Sequence, residues 1–131
     1  MNICFIGGGV MAEALLIGIL DKEISKPSEL LVCDPSDERI IYLEAEFSVN
    51  TSAKNDVISG FDGLIILAVK PQTISKIFPS IVGKIQDKST VMSIVAGLTS
   101  ESINQGLDHS RIVRVMPNTP SQIGLGISVW T

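Results

Sequence analysis

Three consecutive glycines stand near the start of this chain, between an apolar run and a stretch with helical spacing. Residues 5–20 read FIGGGVMAEALLIGIL. Glycine loses more backbone entropy on folding than any other residue, so a triplet between two regular elements lowers stability. We therefore expect the turn at this point to need bare backbone, either for its own geometry or for something that approaches it.

Apolar runs of strand type alternate with helical patterns along the whole chain. Strands are predicted at 3–6, 30–33, 64–69, 91–95, 112–115 and 127–130, with a short extended segment at 48–49. Helices are predicted at 11–20, 36–47, 53–59, 73–85 and 100–106, the fourth being bent or restarted at Pro79. The cap signal of the second helix is partial, because Ser36 is followed three positions later by Arg39 rather than by an acid.

The strand runs lack polar alternation, which indicates that both of their faces are buried. Strands that alternate with helices pair in parallel through right-handed crossovers. The predicted fold class is therefore α/β, a doubly wound and mostly parallel sheet with helices on both faces. The chain has 131 residues and no internal repeat, so residues 1–131 are expected to form one domain.

The glycines fit the form G-x-G-x-x-A over residues 7–12, after a strand and at the start of a helix. In that context Gly7 makes the tight turn, Gly9 lets the backbone approach a pyrophosphate, and Ala12 allows close helix–strand packing. The phosphates would rest on the free N–H groups at the helix start, where the helix dipole favours negative charge. The alternative is a plain tight turn.

Asp34 ends the second predicted strand, 25 residues after Gly9. An acid near this position binds the adenine ribose hydroxyls of NAD and repels the additional phosphate of NADP. The alternative is that Asp34 and Pro35 only form a turn. Arg39 could pair with a phosphate, although it follows an acidic cluster.

Three later strands also end in candidate ligand-binding residues, since ligands of open α/β sheets lie beyond the carboxyl ends of the strands. Lys70 follows one strand, and could either place a cofactor or be solvated. Small residues end the next strand in SIVAG, residues 93–97. Residues 114–120, RVMPNTP, form a stiff polar loop that could orient a nicotinamide or serve as a structural turn.

Composition excludes several classes of function. The formal charge is −4 and aromatic residues make up 5%, so nucleic acid and anionic membranes are not expected as partners. Cys4 and Cys33 lie in strand-like runs, and two free thiols suit the cytoplasm; we expect them to be buried and unpaired. His109, the only histidine, is expected at the surface, and no metal site is expected.

Four stretches in this order carry a family resemblance: FIGGGVMAEALLIGIL, ILAVKPQ, SIVAGLTSESI and RVMPNTPSQIGLGIS. Together they closely resemble the N-terminal domain of pyrroline-5-carboxylate reductase, over nearly the whole chain. The resemblance implies a Rossmann domain that binds NADPH or NADH for reduction of the cyclic imine 1-pyrroline-5-carboxylate to L-proline. The chain departs from the family pattern at Val10, where Asn is common, and at Asp34, where members that prefer NADP often carry Ser, Asn or Arg.

The resemblance also implies a set of cofactor-binding residues. Combined with the glycine motif and Asp34, these are Gly7, Gly9, Val10, Met11, Ala12, Asp34, Asn55, Ala68, Val69, Lys70, Pro71, Ala96, Gly97, Pro117 and Asn118. Family members continue with a helical domain that forms the homo-oligomer and binds substrate. We therefore expect this chain to be a fragment that binds dinucleotide and reduces little substrate by itself.

Two other hypotheses remain at this stage. One is another Rossmann-type oxidoreductase, such as a hydroxyacid dehydrogenase or a reductase that uses a deazaflavin. The other is a non-catalytic dinucleotide-binding module.

Overall fold

The computed structural model describes residues 1–116 and 129–130 of the chain. Their strands are β1 (Ile3–Ile6), β2 (Leu30–Cys33), β3 (Asn50–Ser52), β4 (Leu64–Leu67), β5 (Thr90–Ser93), β6 (Ile112–Met116) and β7 (Val129–Trp130). Their α-helices are α1 (Val10–Asp21), α2 (Asp37–Phe47), α3 (Ile74–Ile81) and α4 (Ser100–Leu107). Short 3-10 helices occur at Pro27–Glu29, Asp56–Gly60 and Pro71–Thr73.

The strands form one sheet in the order β3-β2-β1-β4-β5-β6-β7. All neighbours pair in parallel except β6 and β7, which are antiparallel. The chain runs outward from β1 through β2 to β3, and then returns to the other side of β1 as β4. This reversal is the topological switch point, where open α/β sheets bind ligands. The predicted doubly wound, mostly parallel fold is confirmed.

The core has two layers, because successive side chains of a strand point to opposite faces of the sheet. On one face Phe5 of β1 packs with Leu16 of α1 and Leu43 of α2. On the other face Ile6 packs in a cluster that includes Ile103 of α4. The helices α1 and α2 thus cover one face of the sheet, and α3 and α4 cover the other.

The third strand begins later than the sequence predicted. The extended segment was expected at 48–49, but β3 covers Asn50–Ser52. Ser48 caps the end of α2 in a left-handed conformation with φ of 58°, and its N–H bonds to the carbonyl oxygen of Glu44. The chain therefore still turns out of the helix at Ser48, and extended pairing starts only after Val49.

The predicted helix over 73–85 is shorter in the structure. It begins at Ile74, continues through Pro79 and ends at Ile81, so it does not restart at the proline. Val82 leaves the helix with ψ of 134°, and Gly83 follows with φ of 76°. The segment predicted as a helix over 53–59 forms the 3-10 helix Asp56–Gly60 instead.

His109 is buried, with 7% of its surface exposed, contrary to the expected surface position. Its Nε2 lies 2.8 Å from the carbonyl oxygen of Ser89, just before β5. The side chain of Asn104 donates to the His109 carbonyl oxygen at 2.9 Å. The ring therefore contacts the backbone carbonyl of Ser89, while Asn104 holds the main chain of His109, and a polar sequence environment reveals neither contact.

Candidate dinucleotide-binding site

Two cavities open at the carboxyl end of the sheet, around the glycine turn. The first has a volume of about 240 Å³ and the second about 280 Å³. Four lining residues are common to both: Gly9, Ala68, Val69 and Lys70. Since these residues follow β1 and β4, both cavities lie at the switch point of the sheet.

Gly7 makes the tight turn that the sequence predicted. Its φ is 103°, a conformation that L side chains rarely adopt, and a Cβ there would lie 2.7 Å from the carbonyl oxygen of Ala68. Its N–H bonds to the Cys33 carbonyl oxygen at 2.8 Å. The end of β1 is thus joined to β2 while its backbone passes close to the end of β4.

Gly9 leaves open the space at the start of α1. A Cβ built on Gly9 would meet no atom within 4 Å. Gly9 is the N-cap residue and offers no side-chain cap, and the first amide bonded back to it is that of Glu13. The N–H groups of Val10, Met11 and Ala12 belong to the first helical turn, whose amides have no intrahelical acceptor. This arrangement can receive an anion.

The first turn of α1 faces both the second cavity and the core. Val10 and Met11 line the second cavity, and the Val10 side chain is 67% exposed. Ala12 is buried at 3% and packs in the cluster that contains Phe5. A small residue at this position lets α1 approach the sheet closely, as the motif predicted.

Gly8 has a role that the motif leaves open, because its position is written as x. A Cβ there would lie 3.0 Å from a methyl group of Val32 and 3.0 Å from one of Leu43. Gly8 also lines the first cavity. The missing side chain therefore lets the loop lie on β2 and α2, a requirement that appears only after the chain has folded.

Asp34 holds the glycine loop and also forms the predicted turn. Its Oδ2 accepts from the Gly8 N–H at 2.8 Å, and its Oδ1 accepts from the Ser36 N–H at 2.9 Å. Asp34 lines the first cavity as well. Each carboxylate oxygen has further lone pairs, so these bonds leave acceptor capacity for hydroxyl groups.

The partial cap signal at Ser36 corresponds to a real cap. The Ser36 hydroxyl accepts from the Arg39 N–H at 3.2 Å, so α2 begins directly after the Asp34 turn. This start places the Arg39 side chain beside the glycine loop.

The end of β4 supplies the wall that the two cavities share. The Ala68 N–H bonds to the Ile6 carbonyl oxygen at 2.8 Å, which ties this wall to β1. Ala68 and Val69 were predicted inside the strand, but β4 ends at Leu67 and they lie beyond it. Lys70 is exposed and lines both cavities, where its ammonium group can attract an anion.

The remaining predicted residues lie in different places. Asn55 lines the first cavity, and its amide contacts the Ser80 hydroxyl at 3.4 Å. Pro71 begins a 3-10 helix, and Ala96 and Gly97 are exposed after β5. These three residues are not among the described residues that line the two cavities. Pro117 and Asn118 lie outside the described residues.

Thr73, Ile77 and Ile94 also line the cavities and were not predicted. Ile77 follows Ile74 by three positions on α3, a spacing that predicted only a core face. Its partial exposure to a cavity depends on how α3 meets the sheet, which sequence spacing does not give.

Neither a metal-binding cluster nor a membrane-spanning helix is found in the described residues. No group of three or more His, Cys, Asp or Glu side chains stands close enough there to hold a metal ion. None of the helices found in the same residues is both long and apolar enough to span a bilayer.

The comparisons with known proteins agree with this geometry. The family model described as "NADP oxidoreductase coenzyme F420-dependent" matches residues 2–97. The chain belongs to this family. The chain is 36% identical to pyrroline-5-carboxylate reductase of Synechocystis sp. over 123 residues, 94% of this chain and 46% of that protein. It is 40% identical to pyrroline-5-carboxylate reductase 2 of Bacillus subtilis over 136 residues, 99% of this chain and 48% of that protein.

Solved structures give the same result. A pyrroline-5-carboxylate reductase from Coxiella burnetii superposes with a TM-score of 0.85 at 30% identity, covering 98% of this chain and 48% of that chain. The Plasmodium falciparum pyrroline carboxylate reductase with NADP bound superposes with a TM-score of 0.83 at 27% identity. The match covers 100% of this chain and 47% of that chain. The predicted resemblance is confirmed. The chain spans about half the length of the curated relatives it matches.

Proposed function

We propose that this chain is the dinucleotide-binding part of a pyrroline-5-carboxylate reductase, holding NADPH or NADH for reduction of 1-pyrroline-5-carboxylate to L-proline. The observation that carries the proposal is the glycine loop at the switch point, whose uncapped helix start and open space at Gly9 match what a pyrophosphate needs. The names of the relatives supply the substrate class.

The two cavities correspond to the two halves of a dinucleotide. The pyrophosphate would lie at their common boundary, on the amides that begin α1. The adenosine half would lie in the first cavity, where Asp34 can accept from ribose hydroxyls and which Asn55 also lines. The nicotinamide half would lie in the second cavity, between Met11 and Val69.

The other assigned residues complete this arrangement. By resemblance, the nicotinamide side would also include Lys70, Pro71, Ala96, Gly97, Pro117 and Asn118. The bound nicotinamide supplies the hydride, and the protein supplies orientation and electrostatics. Lys70 would favour the anionic dinucleotide through its charge, while the apolar wall of Ala68 and Val69 would exclude water from one side of the ring.

The whole protein would carry further elements. We propose that residues 1–131 form one domain and that a further helical domain binds substrate and forms a homo-oligomer. A cytoplasmic location accords with the two buried, unbridged cysteines, since a reducing compartment keeps thiols free.

A chimera tests the proposal. This chain would replace the matching segment of the Bacillus subtilis enzyme, and proline formation would be measured with NADPH and with NADH. We expect the chimera to form proline and this chain alone to form little or none. The matched control is the same chimera carrying Gly9→Asp, which places a carboxylate where the pyrophosphate would lie and should be inactive.

Two results would contradict the proposal. The first is a folded chimera that binds dinucleotide and yet reduces only another substrate, such as a hydroxyacid precursor, or only with a deazaflavin. The second is a folded chimera that binds dinucleotide and forms no product, as a non-catalytic module would.

A further inference from the structure

Arg39 contacts the glycine loop through two backbone carbonyl oxygens. Its Nε donates to the Gly8 carbonyl oxygen, and its Nη2 lies 3.3 Å from the Gly9 carbonyl oxygen. Arg39 is not among the residues that line either cavity in the described part of the chain. A guanidinium that reads a cofactor phosphate would have to donate into the cavity, whereas this one donates to carbonyl oxygens of the loop.

The contacts of Arg39 fix the direction of two peptide groups. In a trans peptide the C=O and the following N–H point in opposite directions. Because the carbonyl oxygens of Gly8 and Gly9 point toward Arg39, the N–H groups of Gly9 and Val10 point away from it. Gly9 lines both cavities and Val10 lines the second. The arginine therefore turns two donors toward the space that an anion would enter.

The guanidinium is itself held by neighbours on both helices. Nη2 of Arg39 lies 3.3 Å from Oε1 of Glu13, with the two side chains 28% and 22% exposed. The ring of Tyr42 lies with its centroid 5.0 Å from the guanidinium carbon. Glu13 is one turn along α1 from Gly9, and Tyr42 is one turn along α2 from Arg39. An ion pair with Glu13 and a cation–π contact with Tyr42 thus hold the Arg39 guanidinium in place, and the guanidinium in turn holds the loop.

Asp34 binds the other polar backbone group of Gly8, its N–H. Its carboxylate accepts from the Gly8 N–H, while Arg39 donates to the Gly8 carbonyl. Both polar groups of Gly8 are engaged by side chains that follow β2. The Gly8 amide is consequently used within the protein, and the donors left for a ligand begin at Gly9.

We propose that Arg39 is a positioning residue of the anion-binding loop, one that supports NADH and NADPH equally and does not read the ribose 2′-phosphate. The proposal rests on the proposed function, since it assumes that the loop receives a dinucleotide pyrophosphate. It is the alternative to the sequence-based expectation that Arg39 could pair with a phosphate.

The test compares Arg39→Met, Arg39→Lys and Arg111→Met by titration with NADH and with NADPH. Arg39→Met keeps a flexible apolar stem and loses all donors, whereas Arg39→Lys keeps the charge with a single donor group. Arg111 is exposed just before β6, so its variant controls for the loss of one positive charge. Thermal unfolding of each variant identifies the temperature range in which it is folded.

We expect Arg39→Met to weaken NADH and NADPH by the same factor, about tenfold. The ratio of the two dissociation constants should stay within about twofold of the wild-type ratio, with Arg39→Lys intermediate and Arg111→Met unchanged. Loss of NADPH affinity alone would overturn the proposal and make Arg39 the 2′-phosphate ligand. Unchanged affinity for both would show that Arg39 has no part in binding.

A second readout separates this proposal from the proposed function. Nitrogen-15 relaxation of the Gly8, Gly9 and Val10 amides is measured without any dinucleotide. We expect new exchange broadening at these amides in Arg39→Met and none in Arg111→Met. If the wild-type chain binds neither dinucleotide, the proposed function fails, and the relaxation result still decides whether Arg39 orders the loop. Unchanged relaxation in Arg39→Met would overturn the positioning role.

Discussion

The carboxylate of Asp34 accepts a 2.8 Å hydrogen bond from the backbone N–H of Gly8, 26 positions earlier in the chain. The acid that follows β2 is thereby fixed beside the glycine loop that follows β1. This contact places the ribose-binding candidate and the pyrophosphate-binding candidate in one rigid unit.

Asp34→Asn tests both parts of that relationship. Asn has one acceptor oxygen in place of two, so either Gly8 or Ser36 loses its acceptor, and unfolding should become easier by about 1–3 kcal/mol. The loss of charge should also remove repulsion of a 2′-phosphate worth about 1 kcal/mol. The ratio of the NADPH to the NADH dissociation constant should therefore fall about fivefold.

Asp37→Asn is the matched control, because it removes the same charge from an exposed position in the first turn of α2. We expect it to leave the cofactor ratio unchanged and to cost less than about 1 kcal/mol. Equal ratios in the wild type and Asp34→Asn would mean that Asp34 serves the loop alone and does not meet the ribose.

Gly9→Ala separates binding from stability. A Cβ at Gly9 meets no protein atom within 4 Å, and its φ is −79°, so the folded state accepts alanine without strain. Its unfolding free energy should change by less than about 1 kcal/mol. The methyl group would occupy the space in which the pyrophosphate approaches the backbone, and dinucleotide affinity should fall at least about tenfold.

The control for Gly9→Ala is Gly18→Ala on the same helix. A Cβ at Gly18 also meets nothing within 4 Å. Since alanine is the better helix former by about 1 kcal/mol, this variant should be more stable and bind normally. Calorimetry and titration of the two variants decide the question. Normal binding by Gly9→Ala would mean that the glycine triplet serves only as a tight turn.

The glycine positions also show how far the sequence predicts the site. The motif predicted the tight turn at Gly7 and the close packing at Ala12, because a strand-to-helix turn with this spacing has few solutions. The pyrophosphate role of Gly9 stays a prediction. It missed Gly8, whose need for a bare backbone comes from the side chains of Val32 and Leu43. Those contacts join parts of the chain more than 20 residues apart, and local pattern does not contain them.

The fold was likewise predicted only in part. The strand and helix order followed from periodicity, whereas several boundaries did not. Ser48 has a left-handed backbone that delays β3, and Gly83 follows the early end of α3 with a positive φ. Such conformations depend on tertiary packing, as does the burial of His109 against the backbone of Ser89.

Gly7→Ala should destabilise the fold strongly. It combines a φ of 103° with a Cβ only 2.7 Å from the Ala68 carbonyl oxygen. Gly83→Ala is the matched variant, with φ of 76° and no atom within 4 Å of the new Cβ. Backbone strain alone should cost Gly83→Ala about 1–2 kcal/mol.

The collision at Gly7 should add about 1–3 kcal/mol to that strain, by analogy with overpacked cores. Urea denaturation of both variants measures the difference. Equal losses of stability would mean that the turn relaxes away from β4 and that the close approach is not required.

The buried thiols give a pH prediction. The sulfur atoms of Cys4 and Cys33 lie 3.9 Å apart in the core. The hydrogen bond to the Cys33 sulfur, together with burial, raises the pKa of Cys4 above its ordinary value of 9.0. The folded state therefore keeps its proton where the unfolded state releases it. The stabilisation is complete below pH 9 and declines above it.

We expect the unfolding free energy of the wild type to fall more steeply above pH 9 than that of Cys4→Ala. Other groups titrate in the same range, so the difference between the two proteins is the quantity to measure. Parallel pH profiles would contradict the raised pKa. In a companion assay at pH 8, neither thiol should react with a disulfide reagent until the protein unfolds, since both side chains are at most 1% exposed.

Dinucleotide binding is decided by a titration of this chain with NADH and NADPH in parallel, followed by nicotinamide fluorescence. We expect saturable binding of one dinucleotide per chain, with affinity reduced at least about tenfold in Gly9→Ala and kept in Gly18→Ala. Absence of any fluorescence change with both dinucleotides, in a chain shown by calorimetry to be folded, would contradict this expectation.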